Sequence, residues 1–452
     1  MNTKKVSRRS FIRGAAAAAA LPALTGLRPF HVAVAGAAEP APIRIGMVAG
    51  LTGAVAGWAM ASVIVNKYIV DEVNRTGGIK SMGGAKLEFL YADCESDPKK
   101  MVTEMERMLE LKKPHVIVTG GSSALTKPAL PVLLRYKVPL VSREYSDELL
   151  MMKNPFFFMP MPKITVNAKA MADAFVKIGN DKKQPVKKVA ILCQDGSFGE
   201  MASDVLGKHF PSLGVMVVAN EIYPTGKVAD FSDTVSKFKA LNADALVCST
   251  TPYESALIVR AMKAVNFNPL GYAFSCTCID TADFANLGKD GDFAFGVPVF
   301  SMEAIGDRIK GAAPFLKAFY SKVTSEAERK ICMEKAVLEC ALIMGIAIHA
   351  LEKAKSYDSV AIRDAMSKLE LKTGERYIYW PDGVKFDDTG YNVVTRTIGG
   401  QYQDMKLKIM FPESLTTPGV GAVWPMPRWT QRASSGMGGA TIAAACQCGG
   451  NI

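Results

Sequence analysis

Histidine is scarce in this chain, which has only four among 452 residues. His115 and His209 stand at the ends of predicted elements, and His349 lies in an apolar helix where a buried, hydrogen-bonded side chain is the simplest interpretation. The sequence also lacks the nucleophile pattern G-x-S-x-G, the zinc pattern H-E-x-x-H and a glycine loop for phosphates. The pair Asp387-Asp388 has no third acid at the spacing of a calcium loop. These absences argue against an enzyme and against a bound metal or cofactor.

Long hydrophobic runs and a charge of one sign are missing as well. The best membrane-span candidate after the N-terminal segment, residues 336–350, contains Glu339 and His349 and fits a buried helix better. Six of the 54 basic residues and none of the 43 acidic residues precede Glu39, which leaves 48 basic against 43 acidic residues. These remaining charges alternate in sign, without the basic, aromatic-rich face of a nucleic-acid binder. We therefore expect no nucleic-acid partner.

The N-terminal segment has the pattern of a twin-arginine export signal. Arg8 and Arg9 are followed by Phe11, by an Ala-rich apolar stretch and by an A-x-A cleavage pattern at residues 35–37. The apolar stretch is too short and too weakly hydrophobic for a permanent membrane helix. The alternative is a basic, disordered tail. The pattern predicts that residues 1–38 are removed and that the mature chain works in the periplasm.

The nine cysteines all follow this segment. Cys193 and Cys248 end apolar runs and are predicted to be buried free thiols. The C-x-C pairs at 276–278 and 446–448 lack the additional cysteine or histidine that a structural zinc site needs. Spacing alone leaves the disulfide pairing open.

Short apolar strands alternate with amphipathic helices in two similar series. The first series has strands at 43–48, 87–92, 115–119 and 139–142 and helices at 58–74, 99–112 and 126–136. The second has strands at 189–193, 215–222, 245–249 and 271–275 and helices at 200–209, 231–241 and 253–265. This alternation predicts an α/β protein with two doubly wound parallel-sheet lobes. Two helices, 313–322 and 331–355, and a hairpin of 375–386 with 391–398 should follow, and residues 431–452 should form a flexible tail.

Several short motifs occur in a fixed order between about residues 43 and 412. They include Leu51-Thr52-Gly53, Gly77-Gly78-Ile79, Gly120-Gly121-Ser122-Ser123, Gly196-Ser197-Phe198-Gly199 and Phe386-Asp387-Asp388-Thr389-Gly390. In this order the chain resembles the solute-binding proteins of ABC importers, and most closely the branched-chain amino-acid (Leu/Ile/Val) binding family with the type I periplasmic binding fold. The resemblance implies an importer permease and ATPase as partners.

The resemblance also implies two lobes that are joined by three crossovers and close on a ligand. The first lobe would comprise residues 42–161 and 300–370, and the second would comprise residues 162–299 and 371–430. The crossovers would then lie near residues 160–162, 297–301 and 369–373.

Hydroxyl side chains at predicted strand ends are candidates for ligand binding. Ser122 and Ser123 follow the strand 115–119 and precede a helix, where hydroxyls and backbone N–H groups favour an anion. The alternative is an ordinary helix N-cap, and the resemblance favours ligand contact. Ser142 and Ser146 lie after the next strand, and the resemblance places Ser146 where a hydroxyl holds the charged groups of an amino acid. Glu144 would either pair with an ammonium directly or point to solvent.

The resemblance adds four further candidates. Trp58 matches an aromatic that covers the ligand, and Phe198 lies in the second-lobe loop near the cleft, although either could be core. Thr251 occupies a position where the family commonly has Tyr. Cys276 lies close to the position of a Glu that holds the ammonium in amino-acid binders, so the amino-acid interpretation is weakened here. The expected ligand is a branched-chain or other apolar amino acid, with an amine-free carboxylate or amide as the alternative; a ligand-sensing receptor subunit is the alternative role.

Overall fold

The computed structural model describes residues 39–432 except 54, 120–121, 276–278, 280, 301 and 303–307. The predicted signal, Cys276 and residues 433–452 of the predicted tail 431–452 lie outside the described residues. The strands are β1 Ile43–Ala49, β2 Leu87–Asp93, β3 Val116–Val118, β4 Leu140–Val141, β5 Phe157–Phe158, β6 Lys188–Gln194, β7 Met216–Tyr223, β8 Ala245–Ser249, β9 Gly271–Ser275, β10 Phe295–Val297, β11 Glu370–Leu371, β12 Val384–Lys385, β13 Gly399–Gln403 and β14 Lys406–Phe411.

The helices lie between these strands or after them, as the alternating sequence pattern predicts. They are α1 Ala56–Arg75, α2 Pro98–Arg107, α3 Ser123–Tyr136, α4 Asp147–Met151, α5 Ile164–Asp181, α6 Gly196–Ser212, α7 Ser232–Ala240, α8 Pro252–Ala264, α9 Ala282–Ala285, α10 Ala312–Lys322, α11 Glu326–Ile331, α12 Glu334–Ala354 and α13 Ser359–Ser367. A π-helical turn, Met108–Lys112, continues α2. In the part of the chain that the structure covers, no helix combines the length and hydropathy of a membrane span.

The first sheet is parallel throughout and has the strand order β2-β1-β3-β4-β5. Its central strands β3 and β4 are apolar and buried at every position, as expected where helices cover both faces. Val116 and Val118 pack in the same cluster as α1, whereas Ile117 between them packs in the cluster with α2 and α3. This alternation is the two-residue period of a strand, and it aligns the carboxyl ends of β3 and β4 at one edge.

The second sheet has the strand order β14-β13-β10-β9-β8-β6-β7. Strands β7, β6, β8, β9 and β10 run parallel, and the hairpin β13–β14 adds antiparallel to β10. The central strand β8 is buried at every position. Cys193 and Cys248 are buried in this sheet and neither forms a disulfide, as predicted, and burial raises the pKa of Cys193 to about 12.

The chain returns from the second sheet to the first through α10–α13. Helix α12 packs against α1 and also contacts β3 and β4. The segment after α13 stays with these helices: the Tyr377 hydroxyl donates to Glu72 Oε2 at 3.0 Å, and the rings of Tyr379 and Phe315 are 5.1 Å apart. The chain pairs with the second sheet again at β13.

The predicted hairpin of 375–386 with 391–398 is wrong. Strand β12 pairs with β11, and a single bridge joins Phe386 and Asn392 across the turn. Tyr391 bridges instead to Met159, beside the end of β5. Gly390 permits this contact because it has a φ of 80°, and an added Cβ would lie 2.0 Å from the Phe157 carbonyl oxygen. The antiparallel hairpin of this region is β13–β14.

Candidate ligand-binding cleft

A cavity of about 340 Å³ lies between the carboxyl-terminal strand ends of the two sheets. The loops after β1, β2, β3 and β4 form one wall, and the loops after β6, β7 and β8 form the other. Open α/β sheets bind ligands at this edge, because the loops there are free of sheet pairing. The volume falls at the lower end of the range for small-molecule sites, about 300–1,000 Å³.

The structure brings six of the nine predicted site residues into the cavity wall. These are Trp58, Ser122, Ser123, Glu144, Phe198 and Thr251. Ser142 and Ser146 are fully buried and lie outside the cavity wall. The Ser146 hydroxyl is 3.5 Å from both Ser197 Oγ and Met201 Sδ.

Ser122 and Ser123 place two hydroxyls at the start of α3. The Ser122 side chain makes no cap hydrogen bond, although Ser122 is the N-cap residue of this helix. Its backbone N–H donates to Glu144 Oε1 at 3.1 Å. The hydroxyl of Ser122 is therefore available in the cavity wall, beside the positive end of the α3 dipole.

Glu144 organises the cavity wall from inside. It is 2% exposed, so the predicted alternative of a solvent-facing side chain is wrong. Oε1 accepts from the Ser122 N–H and from Thr126 Oγ1 at 2.7 Å, and Oε2 accepts from Thr119 Oγ1 at 2.8 Å and from the Ser142 hydroxyl. A carboxylate has about four lone-pair sites, two on each oxygen. Neutral donors from β3, α3 and the β4 loop fill all four.

Arg143, the neighbour of Glu144, is a buried cation in the cavity wall. Its side chain is 5% exposed, and Nε donates to Glu339 Oε2 of α12 at 2.8 Å. Nη1 donates to Ser62 Oγ at 3.2 Å and to the Trp58 carbonyl at 3.4 Å. The sequence contains a signal for this residue, a basic side chain two positions after a buried strand, but the sequence-based predictions name only its neighbours Ser142 and Glu144.

Glu339 lies between two cations and a hydroxyl. Lys335 Nζ is 3.8 Å from Glu339 Oε1, which also accepts from the Tyr145 hydroxyl at 2.5 Å. Burial opposes the charged form, but Lys335 and Arg143 hold the pKa of Glu339 below its ordinary value. Burial also opposes the charge on Arg143, yet Glu339 holds the pKa of this guanidinium above its ordinary value. Arg143 and Glu339 thus form a buried ion pair directly behind the cavity wall.

The second sheet contributes Asp195, Thr251 and Phe198 to the opposite wall. Asp195 follows β6, is exposed, and accepts through Oδ1 from the Thr225 N–H at 3.0 Å and from the Thr225 hydroxyl at 2.6 Å. Thr251 is the N-cap of α8, where its hydroxyl donates to Glu254 Oε2 at 2.7 Å. Phe198, at the start of α6, is half-buried. Sequence reasoning missed Asp195, although it precedes the selected Gly196-Ser197-Phe198-Gly199 motif.

Comparisons with known proteins agree with this architecture. A family model described as a periplasmic binding protein matches residues 42–390. Leu/Ile/Val-binding protein homolog 7 of Brucella melitensis biotype 1 is 24% identical over 396 residues, which cover 84% of this chain and 94% of that protein. Homolog 8 of Brucella abortus (strain 2308) is 24% identical over 388 residues, covering 83% and 91%.

Solved structures share the fold at lower sequence identity. The branched-chain amino acid transporter substrate binding protein LivJ from Streptococcus pneumoniae, in complex with isoleucine, gives a TM-score of 0.69 at 18% identity and covers 82% of this chain and 100% of that one. The leucine binding protein LivK from Thermotoga maritima gives 0.68 at 17% identity, covering 83% and 99%. The arrangement of two sheets around a cleft is thus the type I periplasmic binding fold.

Proposed function

The chain belongs to the periplasmic binding protein family, and we propose that it is an extracytoplasmic solute-binding protein that captures a small apolar carboxylate for an ABC importer. One observation carries the carboxylate assignment. The buried Arg143 cation and the hydroxyls of Ser122 and Ser123 line the same cavity. Charge-assisted hydrogen bonds to a carboxylate are the strong ones in proteins, and an arginine fork matches the geometry of a carboxylate.

Apolar side chains of the cavity supply a place for the body of the ligand. Trp58 and Val55 lie on the first-sheet wall, and Phe198 lies on the second-sheet wall. A ligand between these walls would remove apolar surface of both from water, at roughly 25 cal/mol for each Å². The names of the curated relatives, which are Leu/Ile/Val-binding homologs, support an apolar body of this size.

Closure of the two lobes is part of the proposal. In the described part of the chain, the crossovers from one sheet to the other begin after β5, after β10 and after β12. Asn392 Nδ2 donates to the Pro160 carbonyl at 3.3 Å, and Lys335 Nζ donates to the Pro298 carbonyl at 2.7 Å. The first bond connects the crossover after β12 to the crossover after β5, and the second connects the crossover after β10 to α12. A few loop residues in these crossovers can therefore act as the hinge.

Calorimetry and small-angle scattering test the proposal together. The mature chain, freed of retained ligand by dialysis, is titrated with C4–C9 apolar carboxylic acids, their α-amino acids and their neutral amides. We expect at least one charged series to bind, the amides to bind weakly, and the radius of gyration to fall at saturation. Ser321→Ala is the control variant, because this exposed hydroxyl donates to the Ala318 carbonyl at 2.7 Å, lies outside the cavity wall, and its loss should leave affinity unchanged. Amides that bind as tightly as the acids, or a panel without any binding carboxylate, would contradict the proposed function.

A further inference from the structure

Within the proposed function, on which this inference rests, we infer that Asp195 determines the specificity of the cleft. In the bound state, one oxygen of its carboxylate accepts a hydrogen bond from an N–H or O–H group on the ligand carbon next to the carboxylate. The cleft therefore prefers acids that carry such a donor, which are 2-amino and 2-hydroxy acids, over acids of the same shape without it.

The bonding of Asp195 leaves one carboxylate oxygen for a ligand. Oδ1 accepts from the Thr225 N–H at 3.0 Å and from the Thr225 hydroxyl at 2.6 Å, and these two bonds fix the orientation of the carboxylate. Oδ2 accepts no hydrogen bond from the described residues. The side chain is exposed and lines the cavity, so its carboxylate is oriented before a ligand arrives, which lowers the entropy cost of binding.

The ordinary role of an aspartate at this position does not account for the unpaired oxygen. Asp195 is the N-cap residue of α6, where an aspartate usually accepts from the first backbone N–H groups of the helix. Here the side chain makes no cap hydrogen bond. The N–H of Gly196 at the start of α6 donates instead to Glu200 Oε1 at 3.3 Å. The contact with Thr225 thus uses one oxygen of Asp195, and the helix uses neither.

The loop that carries Asp195 adjoins the proposed carboxylate site on the first wall. A Cβ added at Gly196 would lie 4.0 Å from the Ala124 Cβ, which is ordinary van der Waals contact. Asp195 and Ser123 each directly precede one of these two residues. A ligand whose carboxylate binds the hydroxyls of Ser122 and Ser123 therefore presents the neighbouring carbon, and not the far end of its body, to Asp195.

The unpaired oxygen of Asp195 makes a donor on that carbon favourable. An ionised carboxylate only accepts hydrogen bonds, and in an open cleft water supplies them. When a ligand displaces this water, an N–H or O–H group replaces the lost bond, whereas a C–H group leaves a desolvated carboxylate oxygen without a partner. A site built to bond a polar group rejects the analogue that lacks it for this reason.

The other acid of the described cavity wall has no oxygen left for this role. Glu144 is 2% exposed, and its two oxygens accept from four neutral donors of the protein. The cation of the wall, Arg143, is paired with Glu339 at 2.8 Å and makes no described contact with Asp195. Among the acids of this wall, Asp195 is therefore the one that can accept from a ligand.

The test compares matched ligands on the unmodified mature protein by calorimetry. One series is leucine, (S)-2-hydroxy-4-methylpentanoate and 4-methylpentanoate, and the other is valine, (S)-2-hydroxy-3-methylbutanoate and 3-methylbutanoate. We expect at least one of the two acids with a donor to bind at least about tenfold tighter than the plain acid of its series, and the tighter one identifies the donor. A plain acid that binds as tightly as both others overturns the inference and leaves the carboxylate function intact. If no acid binds, or if neutral amides bind as well, the proposed function itself fails.

Variants assign the recognition to Asp195. Asp195→Asn keeps an oxygen for the two bonds from Thr225 and replaces the unpaired acceptor by an amide donor. The advantage of the acids with a donor should therefore disappear, while the affinity for the plain acids stays nearly unchanged. Asp230→Asn is the matched control, because Asp230 is also exposed, accepts through one oxygen from the Ser232 N–H at 3.0 Å and hydroxyl at 2.8 Å, and lies outside the cavity wall. An advantage that persists in Asp195→Asn, or an equal loss of affinity for all acids, would overturn the inference.

Discussion

Replacement of Glu339 by Gln should destabilise the protein strongly, although the side chain lies in an apolar helix and keeps its size. The substitution removes the carboxylate that Arg143 Nε contacts at 2.8 Å and that Lys335 approaches at 3.8 Å. Arg143 then loses the carboxylate with which its buried guanidinium is paired. Removal of one partner from a buried pair costs about 3–5 kcal/mol, which is a large fraction of the roughly 5–15 kcal/mol that stabilises a typical protein. The amide oxygen can still accept from Tyr145, which favours the lower end of this range.

The difference in stability between wild type and Glu339→Gln should depend on pH, because the pKa of Glu339 is lowered in the folded protein. The ordinary value is 4.5, so the unfolded state binds the proton more readily than the folded state does. Stability from Glu339 is therefore fully present above about pH 4.5 and is lost as the pH falls from there through the lower pKa of the folded state. The difference between wild type and Glu339→Gln should be constant from pH 7 to about pH 5 and should shrink below that range.

Urea unfolding, followed by tryptophan fluorescence at pH 7, 5 and 4, measures this difference. The matched control is Glu326→Gln, since Glu326 pairs with Lys330 on the exposed surface of the neighbouring helix α11. Exposed ion pairs are screened by water, so this control should leave the free energy of unfolding nearly unchanged. A loss of less than about 1 kcal/mol in Glu339→Gln, or a difference that grows below pH 5, would refute the reasoning.

Three further predictions concern the cavity and the export signal. Ser122→Ala should weaken carboxylate binding roughly ten- to a hundredfold at an unchanged melting temperature, and calorimetry with the free and bound protein checks both values. Glu144→Gln should lower the free energy of unfolding by about 1–3 kcal/mol, because its carboxylate accepts hydrogen bonds from the protein itself. The ratio of the affinity for an amino acid to the affinity for its amine-free analogue should stay constant, and a changed ratio would show that Glu144 contacts the ligand. Arg8→Lys with Arg9→Lys should leave unprocessed precursor in the cytoplasm by immunoblot of cell fractions, and normal periplasmic processing would exclude the twin-arginine route.

The fold could be predicted where apolar runs have clear ends. The predicted strands 245–249 and 271–275 coincide with β8 and β9, since turn residues bound both runs. Helix α5 was missed even though Ile164, Ala168 and Phe175 have helical spacing. It begins directly after a proline-rich segment, and Lys163 at its N-cap makes no side-chain cap bond, so the usual start signal is absent.

The shortest strands contain too few residues to show a hydrophobic alternation from which a strand could be predicted. Strands β5 and β12 have two residues each, which is fewer than a period of alternation needs. Their pairing depends on partners far along the chain, as Tyr391 shows in its bridge to Met159. The turn at 387–390 was correctly placed, but local sequence could not show that Gly390 packs against β5 instead of closing a long hairpin.

Arg143 and Glu144 show why the chemistry of the site needed the structure. Both are charged residues in the loop after β4, and the sequence alone allows the same two roles for each, solvent exposure or ligand contact. The structure shows different partners: Glu144 bonds to β3 and α3, whereas Arg143 reaches α1 and α12. The Arg143–Glu339 contact joins residues 196 positions apart, so no local pattern encodes it. The role of each charge therefore depends on partners that are distant in sequence: Glu144 supports the loops around β3 and β4, whereas Arg143 forms an ion pair behind the cavity wall.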